Sequence, residues 1–268
     1  RLSVWVVGLL PRETSTTVDV FLANAPYIVG VEHLNACSGA ALIFVDDVLV
    51  GFVGAVAHHS EVGGRVPGSE SGDSTSIYQE GIRIPPVKLF DDCVMRNDVW
   101  ELFLLNSRTP HFSDGDLHAQ NAANTRGIER VQALYARYGA AAMKASVAEM
   151  LDSTERRART RIRQVLRDGV YEAEAWLDED GVSDNPVKFA VKTTITDGAV
   201  SFDFSGCGTQ IGTGKNIPLT HTMATVYFCT KAHVDLTLPV NEGLYRTPDA
   251  IAPQGSNVNP VSRRSVPP

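Results

Sequence analysis

The chain of 268 residues is long enough for one large domain or two smaller ones, each with its own hydrophobic core. Its 43% hydrophobic, 7% aromatic and 21% charged residues are typical of a globular protein and argue against a disordered, collagen-like or coiled-coil chain. Acidic residues outnumber basic ones by 31 to 24, which gives a formal net charge of −7. Because this balance repels phosphate backbones, we expect no nucleic acid partner.

The amino-terminal apolar run, residues 2–10, is much shorter than the roughly 20 residues that a membrane helix needs. We interpret it as a strand and expect no membrane span. The four cysteines form no Cys-x-x-Cys pair, which fits a reducing, cytoplasmic compartment. The chain opens with Arg1 and closes on a proline-rich stretch, so we expect it to be part of something larger.

The first third of the chain is predicted to be rich in strands. Residues 18–23 read as a strand that Asn24-Ala-Pro-Tyr27 ends, because proline cannot donate to a ladder. Residues 40–57 are two apolar runs around Asp46-Asp47, which predicts a hairpin that is apolar on both faces and hence deeply buried. The glycine- and serine-rich stretch 63–76 predicts a long loop, and we expect it to form a wall of a functional site.

Apolar residues at three- and four-residue spacing predict helices from residue 98 to residue 166. Ser113 or Asp114 can cap the second of these helices, and Gly139 can end it. The third helix, about 140–166, carries six arginines and is followed by an acidic tract, 172–184, that can neutralise them. We therefore interpret the arginines as a solvated or subunit-facing surface rather than a nucleic-acid site.

The last third is predicted to hold a hairpin, residues 187–204, and a helix, residues 216–233. Asp197-Gly198 supplies the two left-handed positions of a type I′ turn. This turn sets three cross-strand pairs and one buried apolar face: Ile195 with Val200, Thr193 with Phe202, and Val191 with Phe204.

The order of strands, then helices, then strands predicts an α+β fold, with mixed or antiparallel sheets and a helical layer or excursion in the middle of the chain. We divide the chain into a strand-rich segment, 1–97, a helical segment, 98–168, and a second strand-rich segment with one helix, 169–268. We expect them to form one continuous, truncated family domain.

Histidines are the strongest chemical signal in the residues themselves. Gly68-Ser-Glu-Ser-Gly72 places Glu70 rather than a serine at the centre of a would-be nucleophile elbow, which argues against a serine nucleophile. His33 lies in a turn between strands, and His58-His59 closes the buried hairpin, so these histidines can meet at one end of a sheet. Imidazole nitrogens suit zinc, manganese or iron, but paired histidines at a strand end are also common structural residues.

Several ordered motifs then resemble the hydantoinase B family, which includes the B subunits of ATP-dependent N-methylhydantoinase and 5-oxoprolinase and the related acetone carboxylase large subunit. The resemblance covers residues 18–260. The matching stretches are Ala57-His-His-Ser-Glu-Val-Gly-Gly64, Ile77-Tyr-Gln-Glu-Gly-Ile-Arg-Ile-Pro-Pro-Val-Lys88, Asn106-Ser-Arg-Thr-Pro110, Gly115-Asp-Leu-His-Ala-Gln120, Val200-Ser-Phe-Asp-Phe-Ser-Gly206, Pro239-Val-Asn-Glu-Gly243 and Ile251-Ala-Pro-Gln-Gly-Ser256.

The resemblance implies a subunit of an ATP-dependent cyclic-amide hydrolase, acting on a hydantoin or 5-oxoproline. A partner of the hydantoinase A type would bind ATP and phosphorylate the amide oxygen, and the present chain would then hydrolyse the activated amide with a divalent metal (Zn, Mn or Fe). Two alternatives stay open: a metal-deficient structural or regulatory homologue, and a subunit of a ketone carboxylase. Metal content separates the first reading from the homologue, and bicarbonate dependence separates it from the carboxylase.

The resemblance also implies site residues. His33 and His58 match the family's two metal-binding histidines, and we expect their imidazole nitrogens to lie roughly 3 to 5 Å apart. His59, Glu61 and Glu80, which lie within the matched motifs, are the candidate catalytic residues.

Two carboxylates of the family pattern are missing. Ala36 stands where the family's His-Leu-Pro-Asp turn has its metal-binding aspartate, and Ala25 stands where the family has Asn-Asp-Pro-Tyr. Glu32 or Glu61 could substitute. We therefore expect the chain alone to bind a divalent metal weakly and to show no amide hydrolase or ATPase activity.

Overall fold

The computed structural model describes residues 19–262, so the strand predicted at residues 2–10 lies outside the described part. Helices and sheets are both present, and the α+β class is confirmed. No helix within residues 19–262 is long and apolar enough to cross a membrane. The contacts divide the chain into two compact units, with the boundary after Gly139. This boundary falls inside the predicted helical segment, and the three-segment division stays a prediction.

The first unit holds a five-stranded antiparallel sheet in the order β3-β2-β1-β4-β5. Two helices follow the last strand. The elements are β1 (Val20–Ala23), α1 (Pro26–Val29), β2 (Ala36–Val45), β3 (Val48–His58), a short 3-10 helix (Ile77–Gln79), β4 (Val87–Asp91), β5 (Val94–Met95), α2 (Asn97–Leu105) and α3 (Pro110–Tyr138).

The hairpin of β2 and β3 is confirmed, and its turn falls at the predicted place. Asp46 and Asp47 adopt φ angles of 48° and 59°, the left-handed values of a type I′ turn. The prediction that both strands are deeply buried is wrong for β3, because among the described strands β3 is the outermost and has a single neighbour. Its side chains alternate, so that Val48 and Val56 are exposed while residues between them are half-buried.

The helix α3 covers one face of this hairpin and fixes it through a buried amide. Gln120 donates hydrogen bonds from Nε2 to the carbonyl oxygens of Cys37 and Ala55, one on each strand, at 2.9 and 3.1 Å. Apolar side chains from both helices, including Phe103 and Leu117, complete the core on this side. The sheet end that carries the histidines is therefore rigidly supported from one face.

The second helix begins earlier than predicted. Thr109 occupies its N-cap position and Pro110 its first turn, where proline is favoured because its missing N–H needs no partner. The prediction that Ser113 or Asp114 caps the helix is therefore wrong. Asp114 instead accepts a hydrogen bond from Trp100 Nε1 at 2.9 Å. Gly139 ends the helix with a φ of 78°, as predicted.

The second unit holds a four-stranded sheet in the order β6-β7-β8-β9, in which β8 and β9 run parallel. The predicted third helix and the helix predicted at 216–233 are both present. The elements are α4 (Ala140–Val165), β6 (Gly169–Leu177), β7 (Val187–Thr196), β8 (Ala199–Asp203), α5 (Leu219–Val234), α6 (Glu242–Tyr245) and β9 (Pro248–Ile251).

The hairpin of β7 and β8 forms in the predicted register, with Ile195 opposite Val200 and Thr193 opposite Phe202. Ile195 and Val200 are buried against Ala158 and Ile162 of α4, and Phe202 packs at the edge of the same cluster. The predicted third pair, Val191 with Phe204, is wrong. The ladder ends one residue earlier because the Phe204 N–H donates to the carbonyl of Ile251 in β9.

The arginines of α4 are bound within the second unit by partners other than those predicted. Arg157 pairs with Asp235 at 2.8 Å, and Arg163 pairs with Asp197 at 2.7 Å. The acidic tract pairs with lysines, as Glu174 does with Lys188. The expectation that this tract neutralises the arginines is therefore wrong for these pairs, although the structural interpretation of the arginines agrees with the ion pairs.

Two glycine substitutions test the backbone of this fold with opposite expected signs. Gly198→Ala should lower the free energy of unfolding by about 1 to 2 kcal/mol, because Gly198 has a φ of 78° and an added Cβ would lie 2.8 Å from the Arg159 carbonyl oxygen. Gly115→Ala should raise it by up to ~1 kcal/mol, because Gly115 lies in α3 with open space around it. Urea titration followed by circular dichroism measures both, and a neutral Gly198→Ala would contradict the assigned turn.

Candidate metal centre

Three side chains of the first unit meet at the end of the β2–β3 hairpin: His33, His58 and Glu70. Glu70 Oε1 lies 3.1 Å from His33 Nδ1 and 3.3 Å from His58 Nε2. The two imidazole rings have their centroids 4.7 Å apart. One nitrogen of each ring and one carboxylate oxygen all lie within 4.8 Å of one another, which agrees with the spacing expected for His33 and His58.

This donor set fits a divalent metal ion. Zinc, manganese and iron all accept imidazole nitrogen and carboxylate oxygen, and catalytic sites commonly use three protein ligands and leave a position open. The side chains of His33, His58 and Glu70 are 34%, 56% and 60% exposed, so solvent and small molecules reach them. That His33 and His58 bind metal stays a prediction.

Two buried asparagine amides hold the turn that carries His33. Asn24 donates from Nδ2 to the carbonyls of Leu34 and Ile82, and its Oδ1 accepts from the Ile84 N–H at 2.7 Å. Asn35 donates to the carbonyl of His59 at 3.2 Å, and its own carbonyl accepts the His59 N–H. The turn is therefore attached both to the end of β3 and to the segment that precedes β4.

The loop that carries Glu70 is fastened next to the histidines by the residues just before it. Asn35 donates to the Gly68 carbonyl at 3.0 Å. Ser69 is buried with a φ of 63°, and its hydroxyl both accepts from the Val62 N–H and donates to the Gly63 carbonyl, each at 2.8 Å. These bonds place Glu70 against the end of β3.

His59 points away from this cluster, because successive residues of a strand face opposite sides of the sheet. Its side chain is fully buried, with Nε2 3.1 Å from Gln120 Oε1 and Nδ1 3.9 Å from Asp116 Oδ2. Its ring packs edge-on against Phe103. Burial lowers the pKa of His59 and outweighs the opposing effects of Gln120 and Asp116.

Glu61 also lies outside the cluster, in a buried ion pair. Its Oε2 lies 2.7 Å from Arg108 Nη1, and its Oε1 accepts the Arg108 backbone N–H. Burial alone would raise the pKa of Glu61, but the hydrogen bonds and charge of Arg108 lower it on balance. Arg108 also donates to the Val66 and Gly64 carbonyls, so the pair holds the first part of the Gly-rich loop in place.

Glu80 is half-buried at the end of the short 3-10 helix. Burial raises its pKa, and the nearby Glu70 carboxylate raises it further. Of the three candidate catalytic residues, Glu80 is therefore the one whose charge couples to the histidine cluster.

Sequence reasoning missed Glu70 as a partner of the histidines and proposed Glu32 or Glu61 instead. Neither belongs to the group of three. Two signals pointed toward Glu70: it lies in the 63–76 loop predicted to be a site wall, and it is the central residue of Gly68-Ser-Glu-Ser-Gly72. Its register with the histidines depends on Asn35 and Ser69, whose side-chain bonds span residues distant in sequence.

The family model for hydantoinase B/oxoprolinase matches residues 9–267, nearly the whole chain. The chain belongs to this family. It is 32% identical to a protein of Pseudomonas sp. (strain NS671) that is named as a putative D-/L-hydantoinase B-type component. That similarity extends over 263 residues, which cover 93% of this chain and 44% of the relative.

Solved structures of this kind also share the fold. The ATP-dependent caprolactamase from Pseudomonas jessenii superposes with a TM-score of 0.87 at 29% identity over 97% of this chain and 44% of that one. An acetone carboxylase in its nucleotide-free form superposes with a TM-score of 0.88 at 19% identity, over 97% of this chain and 35% of that one, which shows the common fold alone. The chain spans less than half the length of the curated relatives it matches.

Replacing Glu61 with glutamine should destabilise the first unit by about 2 kcal/mol at pH 7, because Arg108 would lose the partner of a buried ion pair. The pKa of Glu61 is lowered in the folded state, so the pair stabilises above the ordinary glutamate pKa of about 4.3 and is lost as pH falls through the lowered value. The deficit of Glu61→Gln should therefore shrink below about pH 4. Urea titrations across pH measure it.

The matched control is Asp73→Asn, which removes the exposed pair with Arg65. This change should cost less than about 0.5 kcal/mol at any pH. Equal effects of the two substitutions would contradict the structural role of Glu61.

Proposed function

We propose that this chain is the metal-binding part of an ATP-dependent cyclic-amide hydrolase. The observation that carries the proposal is the cluster of His33, His58 and Glu70 in a chain of the hydantoinase B/oxoprolinase family. Relatives are named as hydantoinase, caprolactamase and 5-oxoprolinase, and hydantoins, caprolactam and 5-oxoproline are all cyclic amides. This shared chemistry supports a cyclic amide as the substrate class.

A partner of the hydantoinase A type would bind ATP and activate the amide oxygen. Two relatives, the hydantoinase and the caprolactamase, are each named as one component of a larger enzyme, which supports a partner in the assembly. An unactivated amide is a poor electrophile, so separating activation from hydrolysis lets each component carry one chemical task.

His33 Nδ1, His58 Nε2 and Glu70 Oε1 would hold the metal ion. When bound, a divalent ion supplies positive charge that polarises a carbonyl and makes water more acidic. Glu70 would supply the carboxylate that the family's turn aspartate supplies at the position of Ala36. Ala36 pairs with His58 across β2 and β3, so a carboxylate at either position borders His58.

Glu80 is the residue that we propose for proton transfer. Its raised pKa keeps a proton on the carboxyl group closer to neutral pH than in an exposed glutamate, which suits protonation of the amine that leaves when an amide opens. His59 and Glu61 would act as positioning residues: His59 fixes the end of β3 against α3, and Glu61 fixes the loop through Arg108.

Ala36 favours one competing proposal, a homologue that has lost its metal and its activity. Metal binding decides between the two proposals, because a non-catalytic homologue has no need of the cluster. A carboxylase component would require bicarbonate, so bicarbonate dependence of the assembled enzyme separates it from a hydrolase.

Glu70→Gln should weaken binding of Mn²⁺ and Zn²⁺ to the chain by at least about tenfold, because it removes a charged ligand. Ala36→Asp should tighten binding by a similar factor, since it adds a carboxylate beside His58. Isothermal titration of the wild-type chain and both variants measures the affinities.

Glu32→Gln is the matched control, because Glu32 neighbours His33 in sequence but lies outside the group of three. It should leave metal affinity unchanged. No metal binding by the wild-type chain, or equal affinities of wild type and Glu70→Gln, would contradict the role of Glu70 and favour the non-catalytic homologue.

Supplied with a hydantoinase A-type partner, the chain should hydrolyse a cyclic amide only when ATP is present. His58→Ala should lower the rate by at least about a hundredfold, since the substitution removes a proposed ligand, whereas the exposed His111→Ala should leave it near the wild-type rate. Product formation followed by chromatography, with and without ATP and bicarbonate, measures this. A product that forms only with bicarbonate would reject the hydrolase.

A further inference from the structure

A cavity of about 450 Å³ in the first unit lies beside α1, apart from the three-residue cluster. It is lined by Ala25, Ile28, Tyr78, Gly81, Arg83 and Pro85. The walls are apolar side chains and an aromatic ring, and Arg83 is the charged residue among them. A pocket of this kind, with mainly apolar walls and one convergent charged group, is typical of sites for small organic ligands.

Arg83 has hydrogen-bonding capacity that the described chain does not use. Its Nε is buried and has no hydrogen-bond partner within residues 19–262. Its guanidinium lies over the ring of Tyr78, with Cζ 5.1 Å from the ring centroid. A buried donor without a partner costs about 1 to 3 kcal/mol, so a ligand that accepts from this guanidinium would recover that cost.

The chain around Arg83 is held against the turn of His33. The amide of Asn24 donates both to the Leu34 carbonyl and to the Ile82 carbonyl, which places the two backbone segments on either side of one side chain. Asn24 Oδ1 then accepts from the Ile84 N–H, so the residues on both sides of Arg83 are fixed. Arg83 is thus presented by a rigid backbone that shares its anchor with the metal candidate.

The electrostatic neighbours of the cavity connect it to the same cluster. Glu80 raises the pKa of Tyr27 after burial has raised it, and Arg83 acts on Tyr27 in the opposite direction. Glu80 in turn senses the charge of Glu70. A ligand bound at Arg83 would therefore lie within the electrostatic reach of the residue proposed for proton transfer.

We propose that Arg83 binds the carboxylate of a small organic acid whose apolar body fills this cavity. A guanidinium offers paired N–H donors that match a carboxylate, and the apolar walls suit a short hydrocarbon or ring. This inference rests on the proposed function and deepens it, because it names the ligand as a carboxylic acid. The carboxylate belongs either to a cyclic amide that carries one or to the amino acid that ring opening releases.

Isothermal titration of the chain with three matched probes tests the proposal. The probes are 2-pyrrolidinone, which is a neutral lactam, 5-oxoproline, which is the same ring with a carboxylate, and 4-aminobutyrate, which is the opened ring. Arg83→Gln should weaken binding of the carboxylate probes at least tenfold and leave any binding of the neutral lactam unchanged. Arg65→Gln is the control, because Arg65 is an exposed arginine of the same unit that pairs with Asp73.

A second pair of variants places a competitor inside the cavity. Ala25 lines the cavity and occupies the N-cap position of α1, where aspartate and asparagine are both favoured. Ala25→Asp should therefore fold and weaken carboxylate binding at least tenfold, because its own carboxylate competes for Arg83. Ala25→Asn, of nearly the same size but uncharged, should have a much smaller effect.

The outcomes separate the sources of the carboxylate and the two proposals. Tighter binding of 5-oxoproline assigns the carboxylate to the substrate, and tighter binding of 4-aminobutyrate assigns it to the product. No carboxylate binding by the wild-type chain, or equal affinities of wild type, Arg83→Gln and Ala25→Asp, overturns the inference. These titrations need neither ATP nor a partner, so Arg83-dependent binding of 4-aminobutyrate without hydrolysis by the assembled enzyme would reject the proposed function alone.

Discussion

Buried side-chain amides that bond to backbone hold together the part of the molecule where its chemistry would occur. Asn24 and Asn35 are almost fully buried, and their bonds tie the turn of His33 to the end of β3, to the Gly-rich loop and to the segment before β4. None of these four segments could satisfy its polar backbone groups alone in a buried place. The two asparagines solve this problem and at the same time bring His33, His58 and Glu70 to one point.

The pleat of β3 divides the adjacent histidines between two tasks. His58 faces solvent with Glu70, whereas His59 faces α3 and is enclosed by Gln120 and Phe103. A shift of β3 by one residue would exchange them and place a half-exposed ring in the core. Gln120 opposes such a shift, because it bonds to backbone carbonyls on both β2 and β3 while it also contacts His59.

The parts of the fold that local chemistry determines could be predicted from the sequence. The turns at Asp46-Asp47 and Asp197-Gly198 follow from residues that tolerate left-handed backbone, and Gly139 ends a helix for the same reason. The proximity of His33 and His58 could also be expected from the hairpin that joins them. The exposure of β3 and the position of Glu70 could not be, because one depends on where β3 lies in the sheet and the other on bonds from Asn35 and Ser69 to a loop without periodic pattern.

The separation in sequence of the residues that build the first unit also bears on how it folds. Gln120 reaches back 83 residues to Cys37, Asn24 reaches forward 58 to Ile82, and Arg108 reaches back 47 to Glu61. Loop-closure entropy must be overcome before such contacts contribute, so chains dominated by them fold slowly. The hairpin at Asp197-Gly198, by contrast, can form as soon as its own residues are available. On a ribosome the cluster of His33, His58 and Glu70 would become ordered only after α3 had emerged, long after its own three residues were made.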